Sequence, residues 1–251
     1  MTAPEVAGLT IVHLYPRELG INGDVGNVTA LTMRARWRGI RTTVHNHHPG
    51  DELPREFDLV HIGSGPLSGQ RAVHDDVTRI GPMLRAAADA GVPFIAIAGG
   101  WQLLSRGFRT TDGENIAGAG VFPSYTVIDG ERAVGEMVVS TGRETLAGFE
   151  NHSGATTLEG DVAPLGVVVS GVGNASGADS QRRAEGIRVG ASIGTHLHGP
   201  FLPMNPTIAD DLLRAALHST ADWPDVDNIR SVDASAAKAR AAIAARLGVR
   251  I

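Results

Sequence analysis

Residues 92–104 combine an apolar run with a small residue and two glycines, a pattern typical of a buried parallel strand that turns sharply into a helix. Turns of this kind, called nucleophile elbows, hold one side chain at the carboxyl edge of a sheet. Backbone N–H groups beside that side chain can stabilise an oxyanion. The residue at the apex is Ala98, which carries no nucleophilic atom. The sequence therefore predicts the geometry of covalent catalysis without the atom that performs it.

Two histidines, His196 and His198, follow a predicted strand at residues 186–193. Because side chains alternate along a strand, only one of the two can face the elbow. We favour His198, which precedes a Gly-Pro turn. A lone histidine is more often structural than catalytic, but a histidine at a strand end near an elbow is a candidate base.

Two further segments could hold ligands. The glycine-containing loop at residues 63–65 follows the predicted strand 59–62 and would let a backbone N–H approach a ligand closely, although an ordinary turn has the same composition. His45, His47 and His48 could suggest a metal site, but no acidic or thiol partner stands at regular spacing. We therefore predict a solvated turn and no bound metal there.

Predicted strands and helices alternate through the first hundred residues. They are strands at 9–14, 40–45, 59–62 and 92–97 and helices at 28–37 and 70–90, the second with a break or kink at Gly81-Pro82. This alternation predicts an α/β fold with a mostly parallel central sheet and helices on both faces, a flavodoxin-like arrangement that binds ligands at the carboxyl ends of its strands. Residues 118–140 and 148–170 instead predict an antiparallel ribbon or edge sheet.

The length of 251 residues predicts one domain over 1–221 and a C-terminal extension over 222–251, with a helix at 233–247. Thr207 and Asp210 form a predicted capping box for a helix that ends near residue 217. The chain contains no cysteine, which excludes a disulfide, a zinc–thiolate site and a thiol nucleophile. The net charge of -5 gives no broad basic surface for nucleic acid. With no apolar run near the roughly 20 residues of a membrane span and no signal-peptide pattern, we expect a cytoplasmic protein.

Four segments in the same order carry a resemblance to a known family. They read G-D-V-G-N at 23–27, I-A-G-G-W-Q at 97–102, G-F-E-N-H-S-G at 148–154 and G-T-H-L-H-G-P at 194–200. Together they resemble class I glutamine amidotransferases of the cobyric-acid-synthase type, most closely the GatD-type glutaminase subunits of lipid II isoglutaminyl synthase. The likeness extends from about residue 9 to residue 217.

The resemblance implies a glutaminase reaction that needs no cofactor. In such enzymes a cysteine thiolate at the elbow attacks the carboxamide of glutamine, and a histidine transfers protons. The released ammonia passes to a Mur-ligase-like synthetase partner in a heterodimer. That partner amidates the D-glutamate of the peptidoglycan stem peptide in lipid II.

The resemblance also assigns roles to positions of this chain. It puts the nucleophile at Ala98, the base at His198, the oxyanion donors at Gly99 and in the loop from Gly63 to Gly65, and the glutamine-binding groups at Arg132 and Asn151. The acid that usually stands two residues after the histidine is replaced by Pro200. A third member of the triad must therefore come from elsewhere, and the partner is one source.

The departures from the family pattern matter as much as the matches. Alanine replaces cysteine at position 98, and residues 63–65 are Gly-Ser-Gly where three glycines are frequent. Because loss of a covalent nucleophile can cost about a millionfold in turnover, we expect the chain as written to be inactive.

Two interpretations of this inactivity remain open. The chain is either a glutaminase whose cysteine was replaced, as is done to trap substrate, or a natural pseudo-glutaminase that acts as a binding or scaffold subunit. Intact Arg132, Asn151 and His198 favour the first, and the altered loop favours the second. A sugar or nucleotide enzyme of the same fold is disfavoured because no phosphate-loop fingerprint is present.

Overall fold

A computed structural model describes residues 8–175, 183–220 and 222–250 of the chain. In chain order the elements are β1 (Gly8–Leu14), α1 (Val25–Trp37), β2 (Arg41–His47), β3 (Leu59–Ile62), α2 (Leu67–Asp89), β4 (Phe94–Ile97), α3 (Gly99–Leu104), β5 (Gly107–Arg109), β6 (Asn115–Ala117), β7 (Ser124–Ser140), β8 (Thr145–Leu158), β9 (Gly166–Ser170), β10 (Ala184–Glu185), β11 (Ile187–Val189), β12 (Ser192–Thr195), β13 (Leu197–His198), α4 (Phe201–Met204), α5 (Pro206–Ala216) and α6 (Asp227–Arg246).

The central sheet has the strand order β11-β12-β4-β3-β1-β2 within the described residues. Its pairs are parallel except for β11 with β12, which is antiparallel. The predicted mostly parallel sheet is therefore confirmed. The carboxyl ends of β3 and β4 lie side by side, which brings the loop after β3 next to the elbow after β4.

Helices cover both faces of this sheet, and alternate residues of β1 show how. Ile11 packs in a buried cluster with Leu31 of α1, whereas its neighbour Val12 packs in a second cluster with Val73 and Val77 of α2. A strand buried on both faces in this way is the reason for the continuous apolar runs in the sequence.

The helix α2 is longer than predicted and is not broken. It begins at Leu67 and continues through Pro82 to Asp89. Its buried stripe includes Ile80 and Leu84, one on each side of Pro82. Proline removes one backbone hydrogen bond from a helix. Because packing against the sheet is continuous across Pro82, the helix tolerates this loss.

The predicted antiparallel ribbon is part of a second sheet. The long strands β7 and β8 pair in an antiparallel hairpin, and β9 pairs antiparallel with β7. The strand β13 joins β8 through the pairs Leu197 with Glu150 and His198 with Phe149. The second sheet thus connects the hairpin directly to the segment that carries His198.

The predicted solvated turn at His45, His47 and His48 is wrong for His47. Strand β2 extends to His47, which is fully buried. Its Nε2 lies 2.8 Å from Oδ2 of Asp76, the same oxygen that accepts a hydrogen bond from the Tyr15 hydroxyl. A buried carboxylate needs hydrogen-bond partners of this kind, so His47 has a structural role. No group of three or more His, Cys, Asp or Glu side chains in the described residues could hold a metal ion.

The C-terminal helices are fixed by an ion-pair network around Arg34. Arg34 is 4% exposed, and its Nε and Nη2 each lie 2.7 Å from a carboxylate oxygen of Asp210. It also pairs with Asp233 of α6, and Arg38 pairs with Asp210. The predicted capping box is wrong, because α5 already begins at Pro206 and Asp210 faces α1.

The helix α6 begins at Asp227, earlier than the predicted residue 233. The boundary between residues 221 and 222 stays a prediction, since residue 221 lies outside the described residues. None of the helices in residues 8–175, 183–220 and 222–250 has the length and apolar character that a bilayer span requires.

We expect Arg34→Met to lower the free energy of unfolding by about 3 kcal/mol, because it leaves two carboxylates without their buried partner. Urea denaturation at neutral pH measures this change. Arg36→Met is the matched control on the exposed side of the same helix and should change stability by less than about 0.5 kcal/mol. Equal effects of the two substitutions would show that the network does not stabilise the fold.

Candidate active site

Ala98 forms a strained elbow between β4 and α3. Its φ is 42° and its ψ is -104°, a conformation that costs a non-glycine residue roughly 1–3 kcal/mol. The elbow is held by hydrogen bonds at both sides: the Ala98 N–H donates to the Thr195 carbonyl at 2.8 Å, and the Gln102 N–H donates to the Ala98 carbonyl at 2.9 Å. The predicted elbow geometry is present, and its apex side chain is 2% exposed.

The two glycines after Ala98 allow the elbow to pack against the neighbouring loop. A Cβ atom at Gly99 would lie 2.8 Å from Nε2 of Gln70, and one at Gly100 would lie 2.3 Å from the carbonyl oxygen of Gly63. Real Cβ atoms do not approach backbone oxygen this closely. The elbow and the loop at residues 63–65 are therefore one packed unit.

His198 has a carboxylate partner within this chain. Its Nδ1 lies 3.0 Å from Oδ1 and 3.2 Å from Oδ2 of Asp24, and both side chains are fully buried. A carboxylate on Nδ1 fixes the tautomer and leaves Nε2 as the acceptor that a base requires. The Nε2 atom is buried and has no hydrogen-bond partner among the described residues.

Sequence reasoning missed Asp24 as this partner. The residue stands in the segment 23–27 that carries the family resemblance, but it is separated from His198 by most of the chain. A carboxylate partner for His198 is thus present within this chain.

His196 has different hydrogen-bond partners from His198. The His196 ring stacks on His152 with centroids 3.9 Å apart, and its Nε2 lies 3.2 Å from the Thr156 hydroxyl. Burial lowers the pKa of His196 well below its usual value, which keeps the ring neutral.

The loop at residues 63–65 turns its one side chain toward the elbow. A Cβ at Gly63 would lie 2.2 Å from the Leu19 carbonyl oxygen, so this position requires glycine. Ser64 instead accepts a hydrogen bond on Oγ from the Gly99 N–H at 3.3 Å, and its own N–H donates to Oδ2 of Asp24 at 2.9 Å. Of the predicted oxyanion donors, the N–H groups of Gly99 and Ser64 therefore already have partners in this structure.

A cleft of about 290 Å³ opens beside the elbow. Its lining includes five of the predicted site residues, namely Ala98, Gly99, Gly65, Arg132 and Asn151, together with Asn22, Gln70, Gln102 and His152. Gly63 and His198 are not among its lining residues. The volume is near the lower end of small-molecule pockets, about 300 Å³, which suits a ligand of amino-acid size.

Arg132 is positioned on the hairpin by Asn151. Its Nε and Nη2 donate to the Asn151 Oδ1 at 3.0 and 2.6 Å, and Asn151 Nδ2 donates in turn to Asn22 Oδ1 at 3.3 Å. These bonds use part of the five N–H donors of the guanidinium group. A planar cationic fork at a cleft is suited to a carboxylate ligand.

Two buried carboxyl groups, Glu150 beside His152 and Glu185 beside His196, have contrasting environments. Burial raises the pKa of Glu185 to about 7, although its Oε1 accepts hydrogen bonds from the Thr195 hydroxyl at 2.6 Å and from the His196 N–H at 2.8 Å. Burial also acts to raise the pKa of Glu150, but hydrogen bonds from His152 and from the N–H groups of Gly173 and Val172 outweigh it and hold that pKa below its usual value. Glu185 therefore titrates near neutral pH.

Comparison with known proteins decides the family. Residues 10–206 match the CobB/CobQ-like glutamine amidotransferase domain. The chain belongs to this family. It is similar to the GatD subunit of lipid II isoglutaminyl synthase (glutamine-hydrolyzing) of Staphylococcus aureus, with 35% identity over 83% of this chain and 84% of the relative. The same subunit of Streptococcus pneumoniae is 33% identical over 83% of this chain and 80% of its own.

Two solved structures share the fold at lower identity. A glutamine amidotransferase crystal structure matches with a TM-score of 0.53 and 15% identity, covering 82% of this chain and 98% of its own. The glutaminase domain of Trypanosoma brucei CTPS matches with a TM-score of 0.50 and 12% identity, covering 86% and 96%. The predicted family and the predicted α/β fold are thus confirmed, whereas the roles of individual residues stay predictions.

We expect Glu185 to make stability depend on pH. Since its pKa is about 7 in the folded protein and near 4.5 when exposed, its contribution is full below pH 4.5 and is lost as the pH rises to about 7. Glu185→Gln removes this titration and keeps an oxygen acceptor. The stability of the variant relative to the parent should therefore increase by roughly 3 kcal/mol between pH 4 and pH 8.

Urea denaturation of both proteins across this pH range measures the difference between their free energies of unfolding. The buried histidines contribute equally to both proteins, so their contributions cancel in this difference. Glu56→Gln, at an exposed position, is the control and should give a difference that does not change with pH. The same flat profile for Glu185→Gln would contradict the raised pKa.

Proposed function

We propose that this chain is the amidotransferase subunit of a two-subunit synthase that amidates the D-glutamate of the peptidoglycan stem peptide in lipid II, and that the chain as written binds glutamine without hydrolysing it. The similarity to two GatD subunits, each over most of both chains, supports the cell-wall role. A Mur-ligase-like synthetase in a cytoplasmic heterodimer is the partner that this role requires.

The single observation that supports the proposed inactivity is the alanine at the apex of the elbow. In a glutaminase, a thiolate at this position would attack the carboxamide carbon of glutamine and form a tetrahedral oxyanion. His198, held by Asp24, would supply a proton to the departing ammonia. The methyl group of Ala98 has no lone pair, so the first bond cannot form.

The remaining groups support glutamine as the ligand. The guanidinium group of Arg132 is suited to the α-carboxylate of glutamine, and its hydrogen bonds to Asn151 orient this group. The elbow lies in the same cleft, where the carboxamide would be placed. Binding and chemistry are therefore carried by different residues, and loss of one need not abolish the other.

A second candidate is a natural pseudo-glutaminase that acts as a binding or scaffold subunit of the ligase. The loop at residues 63–65 favours it, because a serine side chain lies against the Gly99 N–H. A deliberate exchange of the cysteine alone would leave this loop in its family form.

Exposed apolar side chains around the cleft support a protein partner on this face. Ile21 lines the cleft and is 44% exposed. Val134 is 59% exposed and pairs across the hairpin with Asn151, and Phe149 lies two residues further on the same face. Exposed apolar residues beside a cleft support an interaction surface when they form one patch.

We expect Ala98→Cys to restore glutamine hydrolysis when the chain is produced together with its synthetase. Ammonia release should exceed that of the parent by at least about a thousandfold, because the missing nucleophile accounts for most of the lost rate. Ser153→Cys is the matched control, since it puts a thiol in the cleft but not at the apex. A silent Ala98→Cys protein with its partner present would favour the scaffold function.

We expect Arg132→Ala to weaken glutamine binding to the parent chain by about tenfold or more, because a charge-assisted hydrogen bond to the α-carboxylate is lost. Isothermal titration calorimetry measures the dissociation constant. Arg55→Ala, at an exposed position away from the cleft, should leave it unchanged. Equal affinities of the Arg132 variant and the parent would remove this arginine from the binding site.

A further inference from the structure

Ser64 has a position that the proposed reaction alone does not explain. Its side chain is buried beside the elbow, and Oγ accepts the hydrogen bond of the Gly99 N–H at 3.3 Å. We propose that the Ser64 hydroxyl occupies the oxyanion site as an internal ligand and competes there with the carboxamide oxygen of glutamine. This inference rests on the proposed function, because it assumes that glutamine enters this cleft.

The backbone on both sides of Ser64 fixes the direction of its side chain. The positions of Gly63 and Gly65 face the Leu19 and Glu18 carbonyl oxygens, where a Cβ would lie within 2.2 and 2.4 Å. Side chains alternate in an extended segment, so residue 64 points to the other side, toward the elbow.

A second bond prevents the loop from turning away. The Ser64 N–H donates to Oδ2 of Asp24 at 2.9 Å, and Asp24 is held by His198. The peptide is therefore fixed, and only rotation of the side chain about χ1 can remove Oγ from the Gly99 N–H. Ser64 also lines the cleft, so a ligand that reaches the elbow meets this hydroxyl.

Glutamine binding at this site would exchange one hydrogen-bond acceptor of the Gly99 N–H for another. A carbonyl oxygen that binds the Gly99 N–H must first displace the Ser64 oxygen, so one hydrogen bond is broken for each one formed. The donor then gives the ligand little net stabilisation. A catalytic oxyanion donor has to be open where charge develops, and this one is closed. Ser64 is thus a positioning residue that sets the affinity of the cleft for a carboxamide.

The first test is glutamine binding to the parent chain and to Ser64→Ala, measured by calorimetry. Ala retains the Cβ and removes the competing oxygen, so the dissociation constant for glutamine should fall about fivefold. L-Norvaline has the same α-amino acid group but no carboxamide, and its affinity should not change. A glutamine affinity that is unchanged or weaker in Ser64→Ala would overturn the proposal; weaker binding would identify the hydroxyl as a donor to the ligand.

The second test needs no ligand. Loss of the acceptor in Ser64→Ala should move the Gly99 amide proton to lower chemical shift and speed its exchange with water, as seen by ¹⁵N-resolved NMR of the whole chain. The Gln102 amide, bonded to the Ala98 carbonyl, is the internal control. An unchanged Gly99 amide would overturn the proposal. A changed Gly99 amide in a chain that binds no glutamine would support the occupied donor and contradict the proposed function instead.

Discussion

The carboxylate of Asp24 is the charge on which the site depends. It is fully buried, and an uncompensated buried charge would be costly. Its two oxygens are satisfied by His198 from the end of the second sheet and by the Ser64 N–H from the loop after β3. One side chain at the start of α1 therefore joins three segments that are distant in the sequence. Removal of the His198 imidazole would leave Oδ1 of this buried carboxylate without its hydrogen-bond partner.

The elbow adds a constraint of shape. Ala98 keeps a left-handed conformation because the backbone around it is fixed by β12 on one side and by the first turn of α3 on the other. The close approach of Gly100 to the carbonyl of Gly63 prevents relaxation in that direction. The strain is thus maintained by backbone contacts, none of which involves the Ala98 side chain.

Local sequence patterns were sufficient for the parallel sheet, the elbow and the antiparallel hairpin, because each depends on apolar periodicity and glycine placement. They failed where a partner that is distant in the sequence determines the environment of a residue. The burial of His47 depends on Asp76, and Asp210 pairs with Arg34 of α1 and not with the start of its own helix. Asp24 was not predicted as the partner of His198 for the same reason, because the two residues are 174 positions apart in the sequence. Contacts of this kind are not encoded in any local spacing.

The intact pairing of His198 with Asp24 is also explained without catalysis. Breaking a buried ion pair or hydrogen-bonded pair costs about 3–5 kcal/mol, so the stability of the fold alone is a sufficient reason for both residues to be present. The Ser64 side chain has no such buried ion pair, because its Oγ accepts one hydrogen bond from the Gly99 N–H among the described residues. The serine hydroxyl on the Gly99 N–H is therefore a more direct indicator of the proposed chemistry of this site than the histidine.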